Sequence, residues 1–196
     1  MIFFTADEHY YHHNMLMHRS FGTHDGTPIE IPAMRRFRTT DEMHRVLKKR
    51  FNEVVSPDDI TYHLGDFAYG PGAKSWQQVG NILEGLNGQQ HLILGNHDHL
   101  KPFDYLEAGF LSVHTSLELN NISITTYDNV ERSFTRYLEQ VILVHDPAVA
   151  GVLTERFFIH GHTHSLGKHL NKNTYCVSVE LTDYYPVPIS DITFGG

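Results

Sequence analysis

Ile60-Thr61-Tyr62-His63-Leu64-Gly65-Asp66 is a short, largely apolar run that ends in a glycine and a carboxylate. The same pattern returns in His91-Leu92-Ile93-Leu94-Gly95-Asn96-His97-Asp98, and a helix predicted over residues 73–86 lies between the two. That helix ends at the Asn87-Gly88 turn. Two successive units of strand, polar loop and helix predict βαβ crossovers, and therefore a partly parallel sheet with helices on its faces.

The N-terminal part of the chain extends this pattern. The apolar run 2–5 predicts another buried strand, and Asp7 and His9 follow where that strand ends. Thr40-Asp41 offers a helix N-cap, after which apolar residues recur at helical spacing up to residue 55. Between them, residues 20–39 contain several glycines and prolines, which predicts a long irregular loop.

The second half of the chain reads mainly as strands. Residues 111–119 and 122–126 flank Asn120-Asn121, which is a strong signal for a hairpin turn. Two short strands are predicted over 141–144 and 157–159, and each of them ends at a histidine. We also expect a strand near 174–181 with no charged cluster after it, and a segment over 184–189 that closes the edge of a sheet.

Composition limits the class of protein. The chain has 196 residues, of which 40% are hydrophobic, so we expect one domain over residues 1–196 with a sizeable core. A formal net charge of -8 argues against a broad basic surface for nucleic acid. Two bound divalent ions would add four positive charges locally, so net charge alone does not exclude an anionic substrate.

Cysteine usage and the N-terminus predict the compartment. The single cysteine, Cys176, excludes an internal disulfide and zinc held by several thiolates, and it fits a reducing environment. The N-terminal residues 1–7 lack the basic and long apolar segments of a signal peptide or membrane span. We therefore expect a cytoplasmic protein that does not bind membranes.

Four polar segments, each placed directly after an apolar run, carry the chemistry. They are Asp7-Glu8-His9, Gly65-Asp66, Gly95-Asn96-His97-Asp98 and Gly161-His162-Thr163-His164. Carboxylate, amide and imidazole groups are ligands of first-row divalent ions, and strand ends gather such groups in one crevice. Without a cation, their burial would be costly. The sequence therefore predicts a two-metal hydrolase, with Asp66 as the carboxylate that bridges the ions and a phosphoester as substrate.

These segments, together with His145, resemble the calcineurin-like metallophosphoesterase superfamily, in the order of that family and over nearly the whole chain. The resemblance implies an α/β four-layer sandwich, with two mixed sheets flanked by helices. It implies that one metal ion is held by Asp7, His9, Asp66 and His164, and the other by Asp66, Asn96, His145 and His162. It also implies that a hydroxide bridging two metals attacks phosphorus while His97 protonates the leaving group, and Asp98 either orients His97 or has a structural role in the turn.

Metal identity and substrate are only partly defined by this pattern. We expect two divalent ions, manganese first, with iron, zinc and nickel as alternatives for such ligands. The sequence lacks the continuation of the second motif that is typical of Ser/Thr protein phosphatases, and Gly95-Asn96-His97-Asp98 slightly favours phosphodiesters. The alternatives are a phosphomonoesterase acting on a nucleotide or sugar phosphate, and a metal-binding scaffold module. Expected partners are a small phosphoester, a nucleotide or a nucleic-acid end, and the oligomeric state stays open.

Substrate contacts are expected from loops. His13 follows the first motif closely enough to reach a phosphate, although a surface position is an equal alternative. Arg36, with its neighbours Arg35 and Arg38, either binds a second phosphate or stacks on a base, or belongs to a solvated basic loop. We expect the loops over 20–39 and 128–136 to border the crevice and to determine specificity.

Overall fold

Two mixed β-sheets, a two-stranded antiparallel sheet and a set of helices form the part of the chain that the computed structural model describes, residues 1–17, 19–22, 28–31, 34–127, 133–150, 156–193 and 195. The strands are β1 (Ile2–Thr5), β2 (Arg19–Gly22), β3 (Pro28–Ile31), β4 (Ile60–His63), β5 (Gln89–Ile93), β6 (Ser112–His114), β7 (Leu117–Tyr127), β8 (Ser133–Val144), β9 (Phe157–His160), β10 (Thr174–Cys176) and β11 (Val187–Pro188). The α-helices are α1 (Thr40–Val54), α2 (Trp76–Leu83) and α3 (Pro102–Ala108).

The first sheet has the strand order β11-β1-β4-β5-β6. The strands from β1 to β6 in this order are parallel, with Ile2 opposite Ile60 and Thr61 opposite Gln90, and α1, α2 and α3 connect them. The predicted βαβ crossovers are therefore confirmed. Strand β11 pairs antiparallel with β1, so the segment predicted to close a sheet edge does so.

The second sheet has the order β10-β9-β8-β7, in which β8, β9 and β10 are parallel and β7 is antiparallel to β8. The hairpin predicted at Asn120-Asn121 is wrong, because β7 continues through both residues and pairs with β8. Asn121 has φ +58°, and asparagine tolerates this left-handed conformation better than most residues. The Asn-Asn signal therefore marks a local distortion inside a strand.

The core is divided between two faces of the first sheet. Phe4 and Ile93 face the second sheet, where they pack with Leu143 and Ile159. On the opposite face, sheet residues such as Leu92 pack against apolar side chains of the three helices. The α/β prediction with two mixed sheets and helices is confirmed, whereas the four-layer arrangement stays a prediction.

Several local boundaries differ from the prediction. Residues 20–39 are not wholly irregular, because β2 and β3 form an antiparallel pair there. Helix α2 begins only at Trp76, since the Ser75 hydroxyl accepts the Gln78 N–H and caps the helix at that point. The predicted strand over 174–181 is shortened to β10, with a 3-10 turn over 179–181. Of the loop predicted over 128–136, residues 128–132 lie outside the described part of the chain, and residues 133–136 belong to β8 instead of a loop. None of the three described α-helices has the length and apolar character needed to cross a bilayer.

His44 on α1 fastens this helix to the loop after β1, because its Nε2 accepts the Tyr11 N–H at 2.8 Å. Burial lowers the pKa of His44 from 6.5 to about 4. A folded-state pKa below the unfolded value means that stability is complete above about pH 6.5 and falls as pH decreases toward 4. Since the ring is partly exposed, we expect a loss of about 1 kcal/mol or less between pH 7 and pH 5.

The measurement is the free energy of unfolding in urea at pH 7 and pH 5 for wild type and His44→Gln. The glutamine amide oxygen can accept the same N–H but does not titrate, so the variant should lose less stability on acidification than wild type. An equal loss of stability in both proteins would show that His44 does not cause the acid sensitivity.

Candidate metal centre

The candidate ligands lie on loops that follow five neighbouring strands. The loops after β1 and β4 are joined by backbone hydrogen bonds from Asp7 N–H to the Gly65 carbonyl and from His9 N–H to the Asp66 carbonyl, both 2.9 Å. The loop after β9 is joined to the loop after β8 by a 3.1 Å bond from Gly161 N–H to the His145 carbonyl. Because these strands run parallel within each sheet, their carboxyl ends meet at one edge. The structure brings all seven predicted ligands together there.

Asp66 lies at the centre of the cluster and is 2% exposed. Its Oδ2 is 3.5 Å from His9 Nε2 and 3.4 Å from His145 Nε2. Its Oδ1 accepts the His97 N–H at 2.8 Å, which fixes the plane of the carboxylate. Asp66 therefore occupies the position between two groups of ligands that a bridging carboxylate requires.

One group of ligands contains His145, Asn96 and His162. His145 Nε2 and His162 Nδ1 each lie 3.0 Å from Asn96 Oδ1, and the two ring nitrogens are 3.2 Å apart. His145 Nδ1–H donates to the Leu64 carbonyl at 2.9 Å, so Nε2 carries the lone pair that faces the cluster when the ring is neutral. Three donor atoms thus converge on one small volume.

The other group contains Asp7, His9 and His164. Asp7 Oδ1 is 3.9 Å from His164 Nε2, and the His9 and His164 rings stack with their centroids 5.3 Å apart. His9 Nε2 is buried and has no hydrogen-bond partner within the described part of the chain. A buried nitrogen without a partner is costly, and a cation at this point would satisfy it.

The geometry fits divalent ions in two overlapping places. One atom each from Asp7, His9 and His164 lies within 4.8 Å of the others, and so does one atom each from Asp7, Asp66 and His145. Carboxylate and imidazole donors suit borderline first-row ions such as Mn²⁺, Fe²⁺, Zn²⁺ and Ni²⁺. Asp7 belongs to both sets, so its carboxylate, like that of Asp66, lies between the two places.

The backbone of the ligand loops is strained. Positive φ angles occur at five of the seven candidate ligands: Asp7 (59°), His9 (51°), Asp66 (56°), His162 (66°) and His164 (45°). Each such conformation costs about 1–3 kcal/mol for a residue with a side chain, and it persists only where the surroundings impose it. Strain of this kind concentrates at functional sites, so the backbone supports a functional centre independently of the side chains.

The motif glycines are required by the close approach of the ligands. A Cβ on Gly95 would lie 2.3 Å from both the backbone nitrogen and Oδ1 of Asp66. A Cβ on Gly65, which has φ +90°, would lie 2.5 Å from His145 Nδ1, and one on Gly161 would lie 2.9 Å from Asp7 Oδ2. These glycines therefore leave the space in which the ligand side chains sit.

Burial and mutual contact shift the pKa values of the ligands. Burial raises the pKa of Asp7 to about 6, although the nearby His164 and His145 rings act against it. Burial also acts to raise the pKa of Asp66, but the hydrogen bond and charge of His145 outweigh it and bring the value to about 2. Burial holds the pKa of His9 well below 6.5, so the ring is neutral at physiological pH and its unpartnered Nε2 is available to a cation.

The Asp98 carboxylate binds the backbone of the ligand loops. This buried carboxylate accepts the N–H groups of Asp66 and Gly95 on Oδ2, at 2.8 and 2.9 Å, and that of Phe67 on Oδ1, at 3.0 Å. Both oxygens thus accept backbone N–H groups, which favours the predicted structural role of Asp98 in the turn over the alternative that it orients the His97 ring. Asp98 instead fastens the loop after β5 to the loop after β4, and it is a positioning residue.

His97 lies at the rim of the cluster and is not part of either ligand group. Its ring centroid is 5.3 Å from that of His9 and 4.6 Å from that of Tyr69. Burial, as the largest effect, lowers the pKa of His97. The half-buried ring faces both the cluster and an adjoining cavity, which is the placement expected of a group that exchanges a proton with a substrate.

The two predicted substrate contacts are not brought to the ligands. His13 and Arg36 are exposed, and no contact of either with a candidate ligand is found among the described residues. His12 occupies the place expected for His13, because it is buried and its Nδ1 lies 3.0 Å from His9 Nδ1. The one-residue difference follows from the 3-10 turn that begins at His13 and directs that residue toward solvent.

Arg35 differs most from the prediction, which placed it in a basic loop that either binds substrate or is solvated. It is 1% exposed and donates to the backbone carbonyls of Asp7 and Glu8. Its Nε and Nη2 donate to Glu180 Oε1 at 2.9 and 2.7 Å, and Glu180 Oε2 accepts from His164 Nδ1 at 3.2 Å. The buried ion pair between Arg35 and Glu180 therefore positions two candidate ligands, Asp7 through its backbone carbonyl and His164 through its ring.

Sequence reasoning missed further supporting residues after β10. The Ser178 hydroxyl donates to Asp7 Oδ2 at 2.5 Å, and Glu180 is the partner of Arg35 and His164. We predicted no charged cluster after this strand, but a single carboxylate, Glu180, is enough to hold Arg35 and His164. The available signal was Ser178-x-Glu180 directly after an apolar strand, which is the same placement as in the four recognised motifs.

The fold and the site together define an α/β protein with a candidate two-metal centre at the carboxyl ends of its strands. No family model matches the sequence. The chain is similar to the uncharacterized protein MJ1445 of Methanocaldococcus jannaschii, at 26% identity over 96% of this chain and 86% of that protein. It is also similar to the Gene 66 protein of Mycobacterium phage L5, at 27% identity over 71% of this chain and 74% of that protein.

A solved structure supports the fold. The crystal structure of the protein of unknown function AQ665 from Aquifex aeolicus superposes with a TM-score of 0.57, at 22% identity, over 95% of this chain and 94% of that one. At this identity the similarity concerns the fold alone. Function must therefore be inferred from the chemistry of the site.

Gly95→Ala should displace Asp66 and reduce metal retention, because the new Cβ collides with the backbone and carboxylate of Asp66. Gly85→Ala is the matched control, since its nearest neighbour is the flexible end of Lys48. The measurement is manganese content per chain after dialysis. Retention of wild-type metal content by Gly95→Ala would show that this close approach is not needed.

Arg35→Met should lower the free energy of unfolding by about 3 kcal/mol or more, because Glu180 would be left as a buried charge without its cation. Arg36→Met, at the exposed neighbouring position, should change it by about 0.5 kcal/mol or less. Urea titrations at pH 7 measure both values. Similar losses in the two variants would contradict the assignment of Arg35 as a buried anchor.

Proposed function

We propose that this chain is a metal-dependent phosphoesterase of the calcineurin-like type that hydrolyses phosphodiesters. The observation that carries the proposal is the convergence of seven metal-ligating side chains, with two buried carboxylates between two groups and a buried His9 nitrogen without a partner. The ions that such a set would hold supply positive charge to phosphoryl oxygens and lower the pKa of coordinated water. Asp7, His9, Asp66 and His164 would hold one ion, and Asp66, Asn96, His145 and His162 the other, with Asp7 also in reach of the second.

His97 is the residue that we assign to the leaving group. It stands at the rim, next to the His9 ring but outside the ligand set, and the Asp66 carboxylate holds its backbone N–H. A proton on this ring can pass to the departing oxygen, which is worth roughly 10²–10⁴-fold in rate for a well-placed acid. The rings of Tyr69 and His12 pack against His97 and limit its orientations.

The buried arginine beside the ligands is not free to bind a monoester phosphate. A phosphomonoester carries more negative charge than a phosphodiester, and arginine and lysine are the side chains that commonly bind such groups. Arg35, the arginine buried beside the described ligands, is paired with Glu180 and bonded to backbone carbonyls, so its charge is already neutralised. Asn96 and His162 are exposed, which leaves the centre open to a substrate with two substituents on phosphorus.

The test compares hydrolysis of bis-p-nitrophenyl phosphate and p-nitrophenyl phosphate by manganese-loaded protein. We expect faster cleavage of the diester, with kcat lost in Asp66→Asn along with bound metal, and both retained in the control Asp58→Asn, which alters an exposed carboxylate. Preference for the monoester would favour the nucleotide or sugar phosphomonoesterase. Metal binding without turnover of either ester would favour the scaffold module.

His97→Asn separates the acid from the metal ligands. The variant should keep its metal content, since His97 belongs to neither ligand group. Its kcat should fall by roughly 10²–10⁴-fold with a methyl leaving group and much less with p-nitrophenolate, which departs without protonation. Equal losses with both leaving groups would show that His97 does not act as the acid.

A further inference from the structure

A cavity of about 550 Å³ adjoins the cluster on the side of His97. Its walls include Tyr69, Pro71, Lys74, His97, His99 and Leu100. Ligand cavities are typically about 300–1,000 Å³, so this space has the size for an organic group of the dimensions of a nucleotide. His97 lines both the cavity and the rim of the metal cluster, so a group that departs from phosphorus past His97 would enter it.

The lining combines apolar surface with positive charge. Pro71, Ala73 and Leu100 supply apolar contacts, whereas Lys74 supplies an exposed ammonium group. No carboxylate is among the lining residues, and no described acidic side chain forms an ion pair with Lys74. Lys74 therefore offers a cation to an anionic group that binds in this cavity.

The wall next to His97 is closely packed. The Tyr69 ring contacts those of His12, His97 and His99 at centroid distances of 4.5, 4.6 and 5.4 Å. The Tyr69 N–H also donates to the Tyr10 carbonyl at 2.9 Å, which ties this wall to the loop after β1. Contacts of this kind limit the orientations of the wall and so reduce the conformational entropy that is lost on binding.

We propose that this cavity binds the leaving half of the substrate, and that this half is a nucleotide. The base would lie against the apolar wall of Pro71 and Leu100, a phosphate would pair with Lys74, and the reacting hydroxyl oxygen would lie at His97. This inference rests on the proposed phosphodiesterase activity.

In the reaction, a water oxygen bonds to phosphorus and the bond from phosphorus to the nucleotide oxygen breaks. The electron pair stays on that oxygen, which takes a proton from His97, while the water proton passes to solvent.

Binding of adenosine monophosphate, adenosine and inorganic phosphate to the manganese-loaded full chain tests this inference by calorimetry. We expect adenosine monophosphate to bind at least tenfold more tightly than either component. Lys74→Met should remove the advantage over adenosine, because the phosphate of the nucleotide loses its cation. Lys172→Met, at an exposed lysine away from the cavity, is the matched control.

The apolar wall is tested separately with Leu100→Asp, which should weaken adenosine and adenosine monophosphate together. Equal affinities of wild type for adenosine monophosphate and inorganic phosphate, or no effect of Lys74→Met, would overturn the inference. Hydrolysis of bis-p-nitrophenyl phosphate by a protein that fails these binding tests would retain the phosphoesterase and reject the nucleotide cavity. Lysine-dependent nucleotide binding without hydrolysis of any diester would retain the cavity and reject the phosphoesterase.

Discussion

Burial of two carboxylates within a few ångströms of each other is the constraint on which the rest of this structure depends. Asp7 and Asp66 are 0% and 2% exposed, and taking such charges out of water is costly unless positive charge and hydrogen bonds offset the loss. The protein supplies part of this through Ser178, backbone N–H groups and the His145 ring. The proposed divalent cations would supply the remainder at the point where imidazoles and positive-φ backbone also gather.

The ligand loops are held from two directions. From one side, Asp98 accepts three backbone N–H groups and joins the loops after β4 and β5. From the other, Arg35 and Glu180 connect the backbone of Asp7 with the ring of His164. The parallel sheet places the strand ends, and these buried polar groups then determine the position of each ligand. Residues outside the candidate ligand set therefore determine the geometry of the candidate centre.

Local signals in the sequence predicted the crossovers and placed the seven candidate ligands, because these ligands directly follow five short apolar runs at strand ends. They did not predict the ion pair between Arg35 and Glu180, because these residues are 145 positions apart and meet only after folding. The roles of Asp98 and His12 depend on the direction of side chains within tight turns, which spacing alone does not give. The hairpin at Asn120-Asn121 failed for a related reason, since a left-handed asparagine is compatible with a continuous strand.

Anomalous diffraction at the manganese absorption edge, from crystals of the protein grown with Mn²⁺, is the most direct test of the two-metal centre. We expect two anomalous peaks in the cluster. One should lie within bonding distance of His9 and His164, and the other within bonding distance of Asn96 and His145, with Asp66 between them. A single peak, or peaks that lie away from these side chains, would contradict the assignment of a two-metal centre.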